Sequence, residues 1–254
     1  MINKIKNIIN KKNLDGYIVP KNDKFFTEYS KISNLELVSK FSGSAGFAII
    51  LKRKNYLFVD GRYTLQAKKQ SGKNFKILEI PLIWPKNIFK SSKHKLDIGF
   101  DAKLFTYNSL NHYFDNTCNL TPINEDLFYK ANNRDFKINK FYKLDKKITG
   151  ESSKSKISRV VKILIKKKID YIFISAGENV CWLMNIRGKD LPNSPIANCN
   201  LILTKNREIY FFSKRNKISN IKKKFINKKI FFYEEEKLFE ILRSIKPGSF
   251  CIDG

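Results

Sequence analysis

Leu14-Asp15-Gly16-Tyr17-Ile18-Val19-Pro20 and Ile169-Asp170-Tyr171-Ile172-Phe173-Ile174-Ser175 are two short β-rich runs of one design. Each opens on an apolar residue followed by aspartate. Each follows an amphipathic helical stretch, with Ile2, Ile5, Ile8 and Ile9 on one face in the first and Val160, Val161, Leu164 and Ile165 in the second. The match continues outward. After a polar loop, each copy has two strands joined by a basic turn: Ala45–Leu51, Lys52-Arg53-Lys54-Asn55 and Tyr56–Asp60, then Asn200–Thr204, Lys205-Asn206-Arg207 and Glu208–Ser213. A helical stretch and a strand follow, Phe75–Ile80 and Lys229–Tyr233, then a last shared strand, Leu96–Asp101 and Ser249–Asp253. Asp15 and Asp170 lie 155 residues apart, Asp101 and Asp253 lie 152 apart, and chance rarely holds two landmarks to nearly one offset.

This repeat predicts an α/β protein of two tandem domains, each a mixed sheet with an antiparallel strand pair and flanking helices. The first copy continues into a helix over Tyr107–Phe114 and a strand over Cys118–Pro122, whereas the second stops at Gly254. The second copy is therefore expected to be incomplete, with an exposed sheet edge that reduces its solubility and loosens it. The polar, glycine-bearing run Leu144–Ser153 reads as the linker, which divides the chain into domains 1–147 and 148–254.

Composition narrows the function classes. The chain has 254 residues, 42% of them hydrophobic, enough for packed cores. No apolar run reaches the roughly 18–20 residues of a membrane helix, and the N-terminus has no signal-peptide core, so a soluble, cytoplasmic protein is expected. The net charge is +27, but only eight of the 50 basic residues are Arg and the lysines are spread along the chain. Arg makes the bidentate contacts that grip phosphate, so a solvated lysine surface is expected and no nucleic-acid partner. Cys118, Cys181, Cys199 and Cys251 have no CxxC spacing, and His94 and His112 are the only histidines, so buried free thiols and no metal site are expected.

No stretch forms a self-contained catalytic constellation. Ser42-Gly43-Ser44-Ala45-Gly46 enters a strand rather than a helix and has no P-loop pattern, so it reads as a tight turn. Asp60-Gly61-Arg62-Tyr63 places an Arg just after a strand, where its guanidinium can pair with an acid or meet a ligand. In Trp182-Leu183-Met184-Asn185-Ile186-Arg187-Gly188, core packing by Trp182, Leu183 and Ile186 and a structural bond from Arg187 are expected. Glu234-Glu235-Glu236 precedes a helix and suits its dipole better than paired-carboxylate catalysis.

These runs together resemble the N-terminal domains of cytosolic Xaa-Pro aminopeptidases (aminopeptidase P) of the creatinase/prolidase superfamily. The resemblance lies in Leu37–Gly46 with its Gly43, Ser44 and Gly46, in Phe58–Ala67 with Asp60, Gly61, Arg62 and Tyr63, and in Val19-Pro20 with Asp23 and Glu28-Tyr29. It extends to Asn179–Asp190, with Trp182, Asn185, Arg187, Gly188 and Asp190, and to Pro195. It implies two like creatinase-type domains followed by a "pita-bread" catalytic domain, whose two divalent metals, typically manganese, activate water against the bond before a penultimate proline. The metal ligands lie beyond Gly254, so none falls in this chain. By the resemblance Arg62 contacts the peptide substrate, while the other motif residues hold the fold or a domain interface. The histidine usual after the opening Asp is replaced near Lys24-Phe25.

The expected function is thus that of the N-terminal fragment of a metal-dependent Xaa-Pro aminopeptidase, inactive alone. Its partners would be its own catalytic domain and a proline-containing peptide, and a homodimer is left open. The alternative is a stand-alone, non-catalytic binding or assembly module of the same fold.

Overall fold

The fold was analysed in a computed structural model that describes all residues except 28–32, 93, 125–126, 129–139, 223–224, 226–228 and 253–254. Glu28, Tyr29 and Asp253 thus lie outside the described residues. The chain divides into two units, Met1–Asp135 and Phe136–Gly254. That division falls earlier than 147/148. Phe141 is fully buried against Phe211, and Tyr142 pairs with Arg187, so the stretch before the expected linker is built into the second unit.

The first unit holds strands β1 (Gly16–Pro20), β2 (Gly46–Leu51), β3 (Asn55–Asp60), β4 (Lys76–Ile80), β5 (Asp97–Phe100) and β6 (Asn119–Pro122). They form one mixed sheet in the order β4-β3-β2-β1-β5-β6. The β1–β2 and β2–β3 pairs are antiparallel; β3–β4, β1–β5 and β5–β6 are parallel. All five residues of β1 are buried because both faces of the sheet are covered. On one face the helix Ile2–Lys11 sets Ile5, Ile8 and Ile9 against Tyr17, Val19, Ala48 and Leu57. On the other, Ile18, Phe58 and Ile98 meet Phe89 of the helix Pro85–Phe89 and Leu110 and Phe114 of the helix Tyr107–Phe114. Each such side chain contributes about 1.5–3 kcal/mol on leaving water.

The second unit contains β7 (Tyr142–Lys143), β8 (Tyr171–Ile174), β9 (Ile186–Arg187), β10 (Asn200–Thr204), β11 (Ile209–Ser213), β12 (Ile230–Glu234) and β13 (Phe250–Ile252). The main sheet runs β12-β11-β10-β8-β13, with β7 and β9 as a separate antiparallel pair. Strand for strand and sense for sense this matches the first sheet from β4 to β5, and among the described residues β13 has no partner equivalent to β6. The helix Ser153–Lys166, capped by Ser152, buries Val161 and Leu164. Ile165, expected on the same face, is 59% exposed, and Lys156 is buried instead. The expected linker is ordered: Asp145 caps a short helix, Lys146–Thr149, which ends at Gly150 with φ of +72°. Among the described residues no helix is long and apolar enough to cross a membrane.

Candidate functional site

The C-terminal end of β3 and the start of β2 lie side by side, with Gly46 opposite Val59, and this register brings the two first-unit motifs together. Asp60 ends β3 and organises the next turn. Its Oδ1 accepts from the Arg62 backbone N–H at 2.9 Å and from Arg62 Nε at 2.8 Å. The bonds donated by Arg62 hold the Asp60 carboxyl below its ordinary range. The Arg62 side chain is 72% exposed, and its guanidinium lies 5.5 Å from the Tyr63 ring centre. Asp60 thus orients a guanidinium on a largely exposed side chain.

Tyr63 ties this turn to the small-residue loop. Its hydroxyl is 2.9 Å from Ser44 Oγ, and its ring meets Phe41 edge-on at 5.7 Å. The helix Thr64–Ser71 clamps the same loop. Gln66 Nε2 and Gln70 Nε2 each donate to Ser42 Oγ at 3.0 Å, and the Ser42 N–H donates to Gln70 Oε1 at 3.1 Å. The glycines are required by close approach: a Cβ on Gly43 would fall 2.2 Å from the Phe41 ring. Gly46 has φ of +147°, and a Cβ there would fall 2.5 Å from the Phe58 carbonyl oxygen. At Gly61 an added Cβ would meet only the Glu79 carboxylate, 2.8 Å away at the end of a flexible side chain that can move aside. Gln66 and Gln70 are roles that motif reading missed, although their four-residue spacing puts them on one helix face. Asp23 stands in another loop, where its Oδ1 accepts from the Phe25 and Thr27 N–H groups.

The second motif forms a different kind of centre. The helix Gly177–Met184 ends at Asn185, which takes a left-handed φ of +53°. Asn185 Nδ2 donates to Glu151 O at 2.8 Å and Thr149 Oγ1 at 3.1 Å, and Asn185 Oδ1 accepts from Lys156 Nζ at 2.8 Å. Lys156 also donates to Trp182 O at 2.9 Å and is 3% exposed; burial lowers its pKa. Leu183 and Ile186 enter the core as expected, but Trp182 is 45% exposed. Cations cover its indole in place of apolar neighbours, with Lys156 Nζ 4.6 Å and the Arg159 guanidinium 5.7 Å from the ring centre. Arg187 Nη1 donates to Ile186 O at 2.8 Å and Cys181 O at 3.1 Å. Gly188 faces Ala197, whose Cβ would lie 2.8 Å from an added Cβ.

Asp190 and Lys217 form an ion pair with both side chains under a tenth exposed. The other Asp190 oxygen, Oδ2, accepts from the Asn198 N–H at 2.7 Å. Neither buried lysine was singled out from sequence. For Lys156 the signal is its place on the stripe that continues to Val160, Val161 and Leu164. Cys118, Cys181 and Cys199 are buried, and Cys251 is partly exposed. Burial pushes the Cys118 thiol up to about 12, which keeps it protonated and unreactive. Among the described residues no group of three or more His, Cys, Asp or Glu could hold a metal ion. The residues described therefore do not fit the paired metals that the resemblance implies.

Two like sheets in tandem, with this loop-and-turn site on the first, define a class. The Creatinase/Prolidase N-terminal domain pattern matches residues 1–127, and a second pattern of the same description matches 133–253. The chain belongs to the creatinase/prolidase N-terminal domain family and carries that domain twice.

Among its relatives is a protein of Coprinopsis cinerea named "Probable Xaa-Pro aminopeptidase P", 27% identical over 98% of this chain and 42% of the relative. Another is "Xaa-Pro aminopeptidase 1" of Dictyostelium discoideum, 25% identical over 96% of this chain and 42% of the relative. A crystal structure of X-prolyl aminopeptidase from Caenorhabditis elegans, described as a cytosolic enzyme with a di-nuclear active site, superposes with a TM-score of 0.83. It is 22% identical over 95% of this chain and 43% of that one, a likeness of fold. The chain thus spans about two fifths of the length of these relatives. Each named relative is an aminopeptidase of one kind, and this chain matches only part of each.

Proposed function

We propose that this chain supplies the two N-terminal domains of a metal-dependent Xaa-Pro aminopeptidase. The whole protein removes the residue before a penultimate proline, and the chain alone is inactive. The observation that carries this reading is the alignment with a named aminopeptidase over 98% of the chain, through both domains in order. The two metals, manganese in this reading, belong to the further part of the protein. Their chemistry is to activate water for attack on the peptide bond. A cytoplasmic location follows the same reading.

Arg62 is the residue of this chain that touches the peptide in this proposal. Its support is geometric. A guanidinium oriented by Asp60 through Nε, on a side chain 72% exposed, can meet a carbonyl or carboxylate with little rotamer freedom to lose. The Ser42–Gly46 loop, Tyr63, Gln66 and Gln70 hold that turn in place. In the second unit, Trp182, Asn185, Arg187, Gly188 and Asp190 act as structural residues.

The test is metal-dependent release of the N-terminal residue from an Xaa-Pro peptide by the whole protein. Activity that falls in kcat/KM on Arg62→Ala supports both parts. A whole protein inert toward Xaa-Pro peptides with every divalent metal tried sinks the activity, and full activity in Arg62→Ala sinks the role of Arg62.

A further inference from the structure

Cys181, in the last turn of the helix Gly177–Met184, and Cys199, the residue that enters β10, meet in the core of the second unit. Both thiols turn to Ala197. Cys181 Sγ accepts from the Ala197 N–H at 3.4 Å, and Cys199 Sγ donates to the Ala197 carbonyl at 3.4 Å. The Cys199 thiol has Cys181 Sγ as a second acceptor, so the two sulfurs are hydrogen-bond neighbours. The residues are 2% and 0% exposed.

Fixed charges surround the pair. The Arg187 guanidinium, held by the Cys181 and Ile186 carbonyls, acts on Cys181. Asp190 acts on both sulfurs, and its partner Lys217 acts on Cys199. These neighbours make the thiols unequal. The bond from Cys199, with that from the Ala197 N–H and the Arg187 charge, holds Cys181 below the ordinary thiol value despite its burial. Burial, then the bond to Cys181, holds Cys199 well above it. An attacking thiolate beside a protonated partner is what a reversible dithiol requires.

We propose that Cys181 and Cys199 form a dithiol that a small hydroperoxide oxidises to a disulfide. The Cys181 thiolate attacks one peroxide oxygen. An S–O bond forms, the O–O bond breaks, and the departing alkoxide or hydroxide takes up the proton that Cys181 gave up. Cys199 then attacks the sulfenic sulfur of Cys181. The S–S bond forms, the S–O bond breaks, and hydroxide leaves as water with the Cys199 proton. Two sulfurs are oxidised, and the hydroperoxide is reduced to water and an alcohol, or to two waters. A small, uncharged oxidant suits the burial of the pair and enters through local opening. The bond joins the end of the helix to the start of β10 and closes the loop that carries Arg187, Gly188 and Asp190.

The test treats the full, folded chain with hydrogen peroxide, quenches in acid, and counts and maps thiols by alkylation and mass spectrometry. The expected result is the loss of two of the four thiols, with the Cys181 and Cys199 peptides joined and both thiols recovered by dithiothreitol. Cys118 is the internal control, since it too is buried but its thiol is pushed up to about 12; its loss is expected to be at least about tenfold slower. In Cys199→Ser the reaction is expected to stop at a sulfenic acid on Cys181, labelled by dimedone, and Cys181→Ser is expected to keep Cys199 reduced. Should either serine variant fail to fold, the native chain decides the pairing by itself. Four thiols still free, Cys118 lost as fast as Cys181, or a bond made to Cys118 or Cys251 in place of this pair overturns the proposal. None of these readouts depends on peptidase activity.

Discussion

Asp15 and Asp170 do the same work in two sheets. The Oδ2 of Asp15 accepts from the Asp97 N–H at 3.0 Å, and its Oδ1 lies 3.3 Å from Lys52 Nζ in the β2–β3 turn. The Oδ2 of Asp170 accepts from the Ser249 N–H at 2.9 Å, and its Oδ1 lies 2.6 Å from Lys205 Nζ in the β10–β11 turn. One carboxylate per domain thus joins the first strand, the parallel strand beside it and the hairpin turn.

The second staple predicts a pH dependence. The bond from Lys205, then those from Ser249, draws the Asp170 carboxyl from 3.8 to about 2. A depressed carboxylate stabilises the fold fully above its unfolded value, and that contribution is lost as pH falls from about 4 toward 2. Acid unfolding of the second unit, followed by Trp182 fluorescence with Trp84 replaced, is expected to become shallower in that window in Asp170→Asn. An unchanged acid limb would remove the staple from the account.

Asn185 is expected to be sensitive beyond its backbone conformation. Asn185→Gly keeps the left-handed φ but leaves Lys156 Nζ without one of its two buried acceptors and opens the bonds to Thr149 and Glu151. The loss is about 2–3 kcal/mol, from hydrogen bonds to a charged group and a buried donor left short. Urea unfolding measures it. A loss under ~0.5 kcal/mol would show that water replaces Asn185 at no cost.

The buried Asp190–Lys217 pair behaves differently from the surface pairs. Lys217→Met leaves a carboxylate buried without its cation and is expected to cost about 3–5 kcal/mol. Lys52→Met, at an exposed pair, costs under ~1 kcal/mol. Comparing the two chemical denaturation midpoints checks the contrast.

Arg62→Ala is expected to leave the stability of this chain within ~0.5 kcal/mol, because its pair with Asp60 is exposed. A folded, equally stable variant makes any loss of activity in the whole protein a statement about the peptide. A large loss of stability would make Arg62 a structural residue.

Much of the fold was legible because a repeat reports on itself. Helix and strand periods, two aspartates and two basic turns were enough to pair β1 with β8 and β2 with β10. The glycines of the Ser42–Gly46 loop and the Asp60–Tyr63 turn were legible as turn chemistry. Trp182 was not: an indole in an apolar helix reads as core, and only the arrangement of Lys156 and Arg159 shows its face covered by cations instead. Lys156 and Lys217 were hidden among 50 basic residues, since a lysine buried against carbonyl or carboxylate is spelled like one in solvent.

By itself, then, the sequence determined the two-domain α/β plan and the motif positions, because hydrophobic period, turn residues and spacing are local properties of the chain, and the motifs carried the resemblance to the family. Tertiary structure alone decided that Asp60 aims Arg62 and Tyr63 reaches Ser44. It also decided that Asn185 accepts a hydrogen bond from buried Lys156, that Asp190 neutralises buried Lys217, and that Phe250 is exposed where Ile98 is covered. Those are contacts between distant residues, set by strand register and packing.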